Sequence, residues 1–183
     1  TVDGDTSTND TVLCMANGLA QNRTIKEGTV AYRRFLQLLT EACQTLALAI
    51  CRDGEGVTKV VKIEVTGSAT VAQARQVAQT IAASNLMKTA LFGEDANWGR
   101  VMAAIGRAGV PITPSKLSVW FGGVPMVYQG IGLGLAAEHR IAKVFRQKEF
   151  TITVGLGRGR HRAHMWTTDL SFDYVRINAS YRS

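Results

Sequence analysis

The final eighteen residues, Trp166 to Ser183, restrict the possible folds more than any other part of the chain. A chain end ordinarily frays and carries small polar residues. Here Trp166, Phe172, Tyr174, Val175, Ile177 and Tyr181 are interleaved with Asp169, Asp173, Arg176, Asn178 and Arg182. That much apolar and aromatic surface predicts a terminus docked on the body of the protein, with Asn178 and Ser183 held in fixed places. Pattern alone reads the segment as a last strand closing a sheet.

A docked tail needs a core to dock on. With 183 residues, 46% of them hydrophobic, the chain can build one in one or two domains. The richest apolar stretch, Ala42 to Cys51, is interrupted by Gln44 and Thr45 and falls short of the roughly eighteen apolar residues of a membrane span. Asp3, Gly4 and Asp5 near the start exclude a secretory signal in this stretch. Cys14, Cys43 and Cys51 are odd in number, lie among apolar neighbours and lack CxxC spacing. They are expected to be buried, reduced thiols in an intracellular, cytoplasmic protein.

The element pattern fills in the middle. Phe35, Leu39, Ala42, Leu46 and Ile50 recur at helical steps from Thr29, widened by Leu36, Leu38 and Cys43 and stopped by Arg52-Asp53-Gly54. Residues 57–65 alternate as a strand, and Gly67-Ser68-Ala69-Thr70 opens a helix with Val71, Ala74, Val77, Ala78 and Ile81 as its stripe. Asn85 to Phe92 reads as a strand, and Asn97 to Ala108 as a helix stopped by Gly109 and Pro111. A hairpin through Gly122-Gly123, a helix over 136–146 and a strand over 149–155 follow. Helices and strands intermingle, so the class is α/β or α+β, mixed sheets with packed helices. A domain junction is expected near Ser68, dividing residues 1–67 from 68–183.

Charge and motifs narrow the chemistry. Twenty-one Lys and Arg against 14 Asp and Glu give a net charge of +7, concentrated in Arg158-Gly-Arg-His-Arg162. A basic RNA-binding module is one reading of this, but no aromatic residue is interleaved for base stacking. A solvated turn, or a surface meeting an acidic partner, fits the cluster better. His139, His161 and His164 have no metal-ligand spacing, and Gly130-Ile-Gly-Leu-Gly134 lacks the full dinucleotide fingerprint. Glu55 stands between Gly54 and Gly56, where the backbone can approach a ligand and the carboxylate can take a substrate ammonium; a plain polar turn is the alternative. Thr1 could be an N-terminal nucleophile with its own amine as base, as in a self-processing amidohydrolase.

Four blocks in order decide among these readings. They are Asp3-Gly-Asp-Thr-Ser-Thr-Asn-Asp-Thr11, Glu55-Gly-Val-Thr-Lys59, Lys88-Thr-Ala-Leu-Phe-Gly-Glu-Asp-Ala-Asn-Trp-Gly-Arg100, and Trp166-Thr-Thr-Asp-Leu-Ser171 continuing through Asp173-Tyr-Val175 and Ile177-Asn-Ala179 to Ser183. Together they resemble the ornithine acetyltransferase, or glutamate N-acetyltransferase, family of arginine biosynthesis, and specifically the C-terminal part of its β chain.

The resemblance implies part of a self-processing, N-terminal-nucleophile-like enzyme that moves an acetyl group from N²-acetylornithine to glutamate through an acyl-threonine. In the family the nucleophile is the Thr of an Ala-Thr-Met-Leu motif upstream of the Thr-Val-Asp-Gly segment. Thr1 belongs to the later segment, so no catalytic residue is expected in this chain, which would be inert alone. By the same resemblance Glu55, Asn178 and the terminal Ser183 contribute to the substrate site, and residues 68–183 form a C-terminal domain whose tail returns to it.

The implied partners are an α chain and the upstream β segment of one precursor, in a heterotetramer of two α and two β chains. No metal or organic cofactor, nucleic acid or membrane is implied. The donor is N²-acetylornithine or, as in some relatives, acetyl-CoA as well. Arg158–Arg162 is more basic than the family leads one to expect.

Overall fold

The computed structural model describes residues 1–6 and 8–180, so Ser183 lies outside the described residues. It divides into two compact units, one of residues 1–3 and 51–183 and the other of Gly4–Ile50.

The larger unit is a six-stranded mixed sheet with helices: β1 (Val60–Ser68), α2 (Val71–Ala82), α3 (Asn85–Phe92), α4 (Trp98–Gly106), β2 (Ser118–Phe121), β3 (Val124–Tyr128), β4 (Ile131–Gly132), α5 (Leu135–Phe145), β5 (Glu149–Gly155), β6 (His161–Thr168) and α6 (Phe172–Ser180). Helix α1 (Val30–Arg52) precedes them and belongs to the smaller unit except at its end. The sheet order is β4-β3-β2-β5-β1-β6. Among the described residues only β1 and β5 run parallel; β6 pairs antiparallel with β1 at the edge. Ser68, where a junction was expected, is the last residue of β1, and the sheet runs across it to β5 and β6.

The core follows from alternation. Val61, Ile63 and Val65 of β1 and Ile152 and Val154 of β5 are fully covered and share one cluster with Val77 and Ile81 of α2, Ile105 of α4 and Ile141 of α5. Phe145 stacks between Phe121 and Phe150, with centroids 5.3 and 5.0 Å away. The β2–β3 hairpin turns at Gly122 (φ +53) and Gly123 (φ +81), the paired positive φ angles of a tight turn that follows strand twist. Thr70 caps α2 by accepting from Gln73 N at 3.1 Å.

Two expected strands are helices. Asn85–Phe92 forms α3, because Ser84 caps it and Met87, Ala90 and Leu91 bury one face at helical spacing. Its short apolar run fits either period, and the cap decides. At the end of the chain, the strand stops at Thr168 and residues 172–180 form α6. Ser171 accepts from Tyr174 N at 3.1 Å, as an N-cap does, and Asp173 occupies the first turn, where a carboxylate suits the helix dipole. Nor is this helix anchored by apolar burial: no residue of α6 is buried.

The smaller unit is α1 with an irregular lead-in. The helix forms where its periodicity predicts, yet its stripe is open, with Phe35 50% and Leu46 64% exposed. Among its described residues none is buried. Cys14 and Cys43 are therefore exposed, and only Cys51, in the larger unit, is buried; all three are free thiols. The expectation of three buried cysteines fails because the smaller unit has no core to bury them in. Among the described residues no helix is long and apolar enough to cross a membrane.

Candidate functional site

The loop between α1 and β1 carries Glu55, and its shape is set by its neighbours. Val57 N donates to Gly54 O at 3.1 Å, closing a turn. Gly56 has φ +66, and a Cβ there would run into the backbone N of Tyr174 and lie 2.8 Å from Ser171 Oγ. Glycine thus allows the loop to touch the first turn of α6. The close approach that glycine allows at position 56 is made to the chain's own helix.

Two buried side chains lock that contact. Asp169 Oδ1 accepts from Thr58 N and Lys59 N, both at 2.9 Å, and Oδ2 accepts from the Thr58 hydroxyl. Ser171 Oγ donates to Gly56 O at 2.6 Å while capping α6. Tyr174 in turn donates its hydroxyl to Asp3 at 2.9 Å. The result hangs α6 opposite the loop, and Asn178 Nδ2 donates to Glu55 Oε2 at 2.8 Å and to Tyr174 O at 3.0 Å.

The third block meets the same place. Lys88 on α3 is 1% exposed, and its Nζ donates to Thr168 O at 2.6 Å and Thr168 Oγ1 at 3.0 Å. Burial pushes this ammonium's pKa down to about 8, against the opposing pull of Asp169, Asp3 and Cys51. Lys59 reaches Glu94 at 3.2 Å, and Phe92 meets Phe172 edge-on at 5.4 Å. A separate cleft of about 520 Å³ has Glu94, Asn97, Trp98, Glu138 and His139 in its wall, and does not include Glu55 or Asn178.

The structure therefore joins Glu55 and Asn178, 123 positions apart, through residues of all four blocks. Ser183 cannot be compared, being outside the described residues. Both partners are exposed. A carboxylate has about four lone-pair sites, so Glu55 keeps capacity for a cation beside the one bond that Asn178 supplies.

Sequence reasoning missed Asp169, Ser171 and Lys88. Signals were present: a lone lysine inside the apolar run of α3, and a Ser followed two residues later by Asp ahead of Tyr174. The basic cluster forms the bend into β6, with Arg158, Arg160 and Arg162 exposed and Arg158 N bonded to Gly67 O at 2.7 Å. Among the described residues no group of three or more His, Cys, Asp or Glu could hold a metal ion.

Over its whole length the chain is 51% identical to the arginine biosynthesis bifunctional protein ArgJ of Desulfotalea psychrophila and 49% identical to that of Geobacter sulfurreducens. In each case it covers 47% of the relative, so the chain spans about half the length of these proteins. The crystal structure of the arginine biosynthesis bifunctional protein argJ from Bacillus halodurans superposes with a TM-score of 0.92 at 42% identity. That match covers 99% of this chain and 85% of the other. The ArgJ family model matches residues 1–183. The resemblance read from the four blocks is borne out, and the chain belongs to the ArgJ family.

Proposed function

We propose that this chain supplies one wall of an acetyl-transfer site, with Glu55 and Asn178 as its substrate-binding groups. The single observation that carries the reading is their 2.8 Å hydrogen bond, built by residues of all four blocks that mark the family. Glu55 takes the substrate's ammonium, and Asn178 orients that carboxylate. Ser183 is assigned to the same site by the resemblance alone.

The reaction is a two-step exchange. An upstream Thr hydroxyl attacks the acetyl carbonyl of N²-acetylornithine, the C–N bond breaks, and ornithine leaves with the hydroxyl's proton. The glutamate amine then attacks the acyl ester, the C–O bond breaks, and the Thr recovers a proton. Splitting one transfer into two predicts ping-pong kinetics. Acetyl-CoA could load the same Thr in place of N²-acetylornithine.

The chain alone is then inert. Its partners are the upstream β segment and the α chain of the same precursor, in an assembly of two copies of each chain. The open apolar stripe of α1 supports this, since Phe35, Leu39, Leu46 and Ile50 are 40% to 68% exposed and suited to burial against another chain. Three free thiols and no disulfide among the described residues suit a reducing compartment, the cytoplasm.

Co-expression of this chain with the upstream segments, followed by an acetyl-exchange assay, tests the reading. Glu55→Ala should cut kcat/KM by about tenfold or more, as expected for losing a charge-assisted bond. A Glu55→Ala enzyme with the unaltered rate overturns the assignment.

A further inference from the structure

The least expected group near the site is Lys88. An ammonium with 1% exposure is costly to desolvate, and replacing a buried charge by an apolar side chain of similar size is often neutral or stabilising. Stability of the core therefore gives a weak reason for a lysine here.

Its contacts give a better one. The Nζ donates to Thr168 O at 2.6 Å, to Thr168 Oγ1 at 3.0 Å and to Thr167 Oγ1 at 3.4 Å. The backbone carbonyl of Lys88 accepts from Leu170 N at 3.2 Å. Lys88 thus grips both ends of the link 168–170, which leads from the last residue of β6 toward α6. Within that link Asp169 pins Thr58 and Lys59, and just beyond it Ser171 pins Gly56 and caps α6. Move the link, and the Glu55 loop and Asn178 move apart.

We propose that Lys88 is a positioning residue for substrate binding: by clamping residues 168–170 it sets the separation of the Glu55 carboxylate and the Asn178 amide. The proposal rests on the site reading above and goes beyond it, since Lys88 does not touch either group. The titratable groups facing the ammonium are Asp169 at the end of β6, Asp3 of the N-terminal segment and the Cys51 thiol at the end of α1. The hydroxyls of Thr167 and Thr168 complete its surroundings.

The test is a double-mutant cycle in the co-expressed, assembled enzyme, with KM for N²-acetylornithine and kcat measured separately. Lys88→Met should raise KM about tenfold while kcat changes less than about threefold, and in the Asn178→Ala background it should add less than about twofold. Wild-type KM should rise as pH passes about 8, where the ammonium loses its proton, and the Lys88→Met profile should be flat there.

An unchanged KM in Lys88→Met overturns the proposal, as does a full independent effect on top of Asn178→Ala. If Lys88→Met does not fold, the wild-type profile decides: a flat KM across that pH range overturns it. Glu55→Gln and Asn178→Ala that both leave KM untouched would sink the site reading itself. Effects of those two with none from Lys88→Met would sink only the lysine's role.

Discussion

The two compact units read equally well as sequence and fold to different ends. In the larger, Ala74, Val77, Ala78 and Ile81 of the α2 stripe are fully covered by the sheet and its neighbours, and Val71 at its first turn is half exposed. In the smaller, the equally periodic stripe of α1 leaves Phe35, Leu39 and Leu46 at least 40% exposed, and no described residue is buried. Periodicity therefore specifies which face of a helix is apolar, and the presence of a partner surface decides whether that face is buried.

The sharpest way to break this contrast is a matched pair of truncations in the isolated chain. Leu91→Ala, at a fully covered position, should cost about 3–5 kcal/mol by urea unfolding, whereas Leu46→Ala should stay within about 0.5 kcal/mol. Equal costs would mean that α1 already has its cover. In the assembled enzyme the ranking of Leu46 should change: Leu46→Asp should weaken association of this chain with the co-expressed upstream segments by about tenfold to a hundredfold, measured by analytical ultracentrifugation.

Next in size is Gly56. Substituting Ala combines a positive φ with a Cβ 2.8 Å from Ser171 Oγ and should destabilise the larger unit by about 1–3 kcal/mol. An alanine that costs nothing would show that the contact between the loop and α6 is not tight.

The last effect is a slope with pH. An unfolded lysine holds its proton up to about 10.5, but Lys88 releases it near 8 when folded. Between those values the unfolded chain binds more protons, so stability of the larger unit should rise with pH, by on the order of 3 kcal/mol at most. Below pH 8 the penalty is fully present. Lys88→Met should remove the slope, and an identical pH profile in that variant would contradict the assignment. Stability and substrate binding are thus expected to move in opposite directions above pH 8.

Legibility followed the same division between pattern and partner. Strands β1 and β5, helices α1, α2, α4 and α5 and the Gly122-Gly123 hairpin were readable because alternation, stripes and stop signals agree there. Helix α3 was not, since eight residues with mixed apolar spacing satisfy both periods until Ser84 is recognised as a cap. The aromatic tail misled for a related reason. Its ring residues suggested a buried strand, but Ser171 starts a helix held by polar contacts to Gly56 and Asp3.

The candidate site divides likewise. Glu55 stood out by its flanking glycines, and Asn178 was singled out only through the family's motif. Asp169 gave no local signal, and Lys88 showed only as a lone lysine in an apolar run, because their partners lie 110 and 80 positions away.

The central claim is that Glu55 and Asn178 hold substrate together. Calorimetric titration of ornithine, which has no acetyl group to transfer to the Thr, into the assembled enzyme tests it without relying on turnover. Glu55→Gln and Asn178→Ala should each weaken Kd by about tenfold, and the double variant should lose less than the product of the two. Affinities within about twofold of the unaltered enzyme in both single variants would contradict the account.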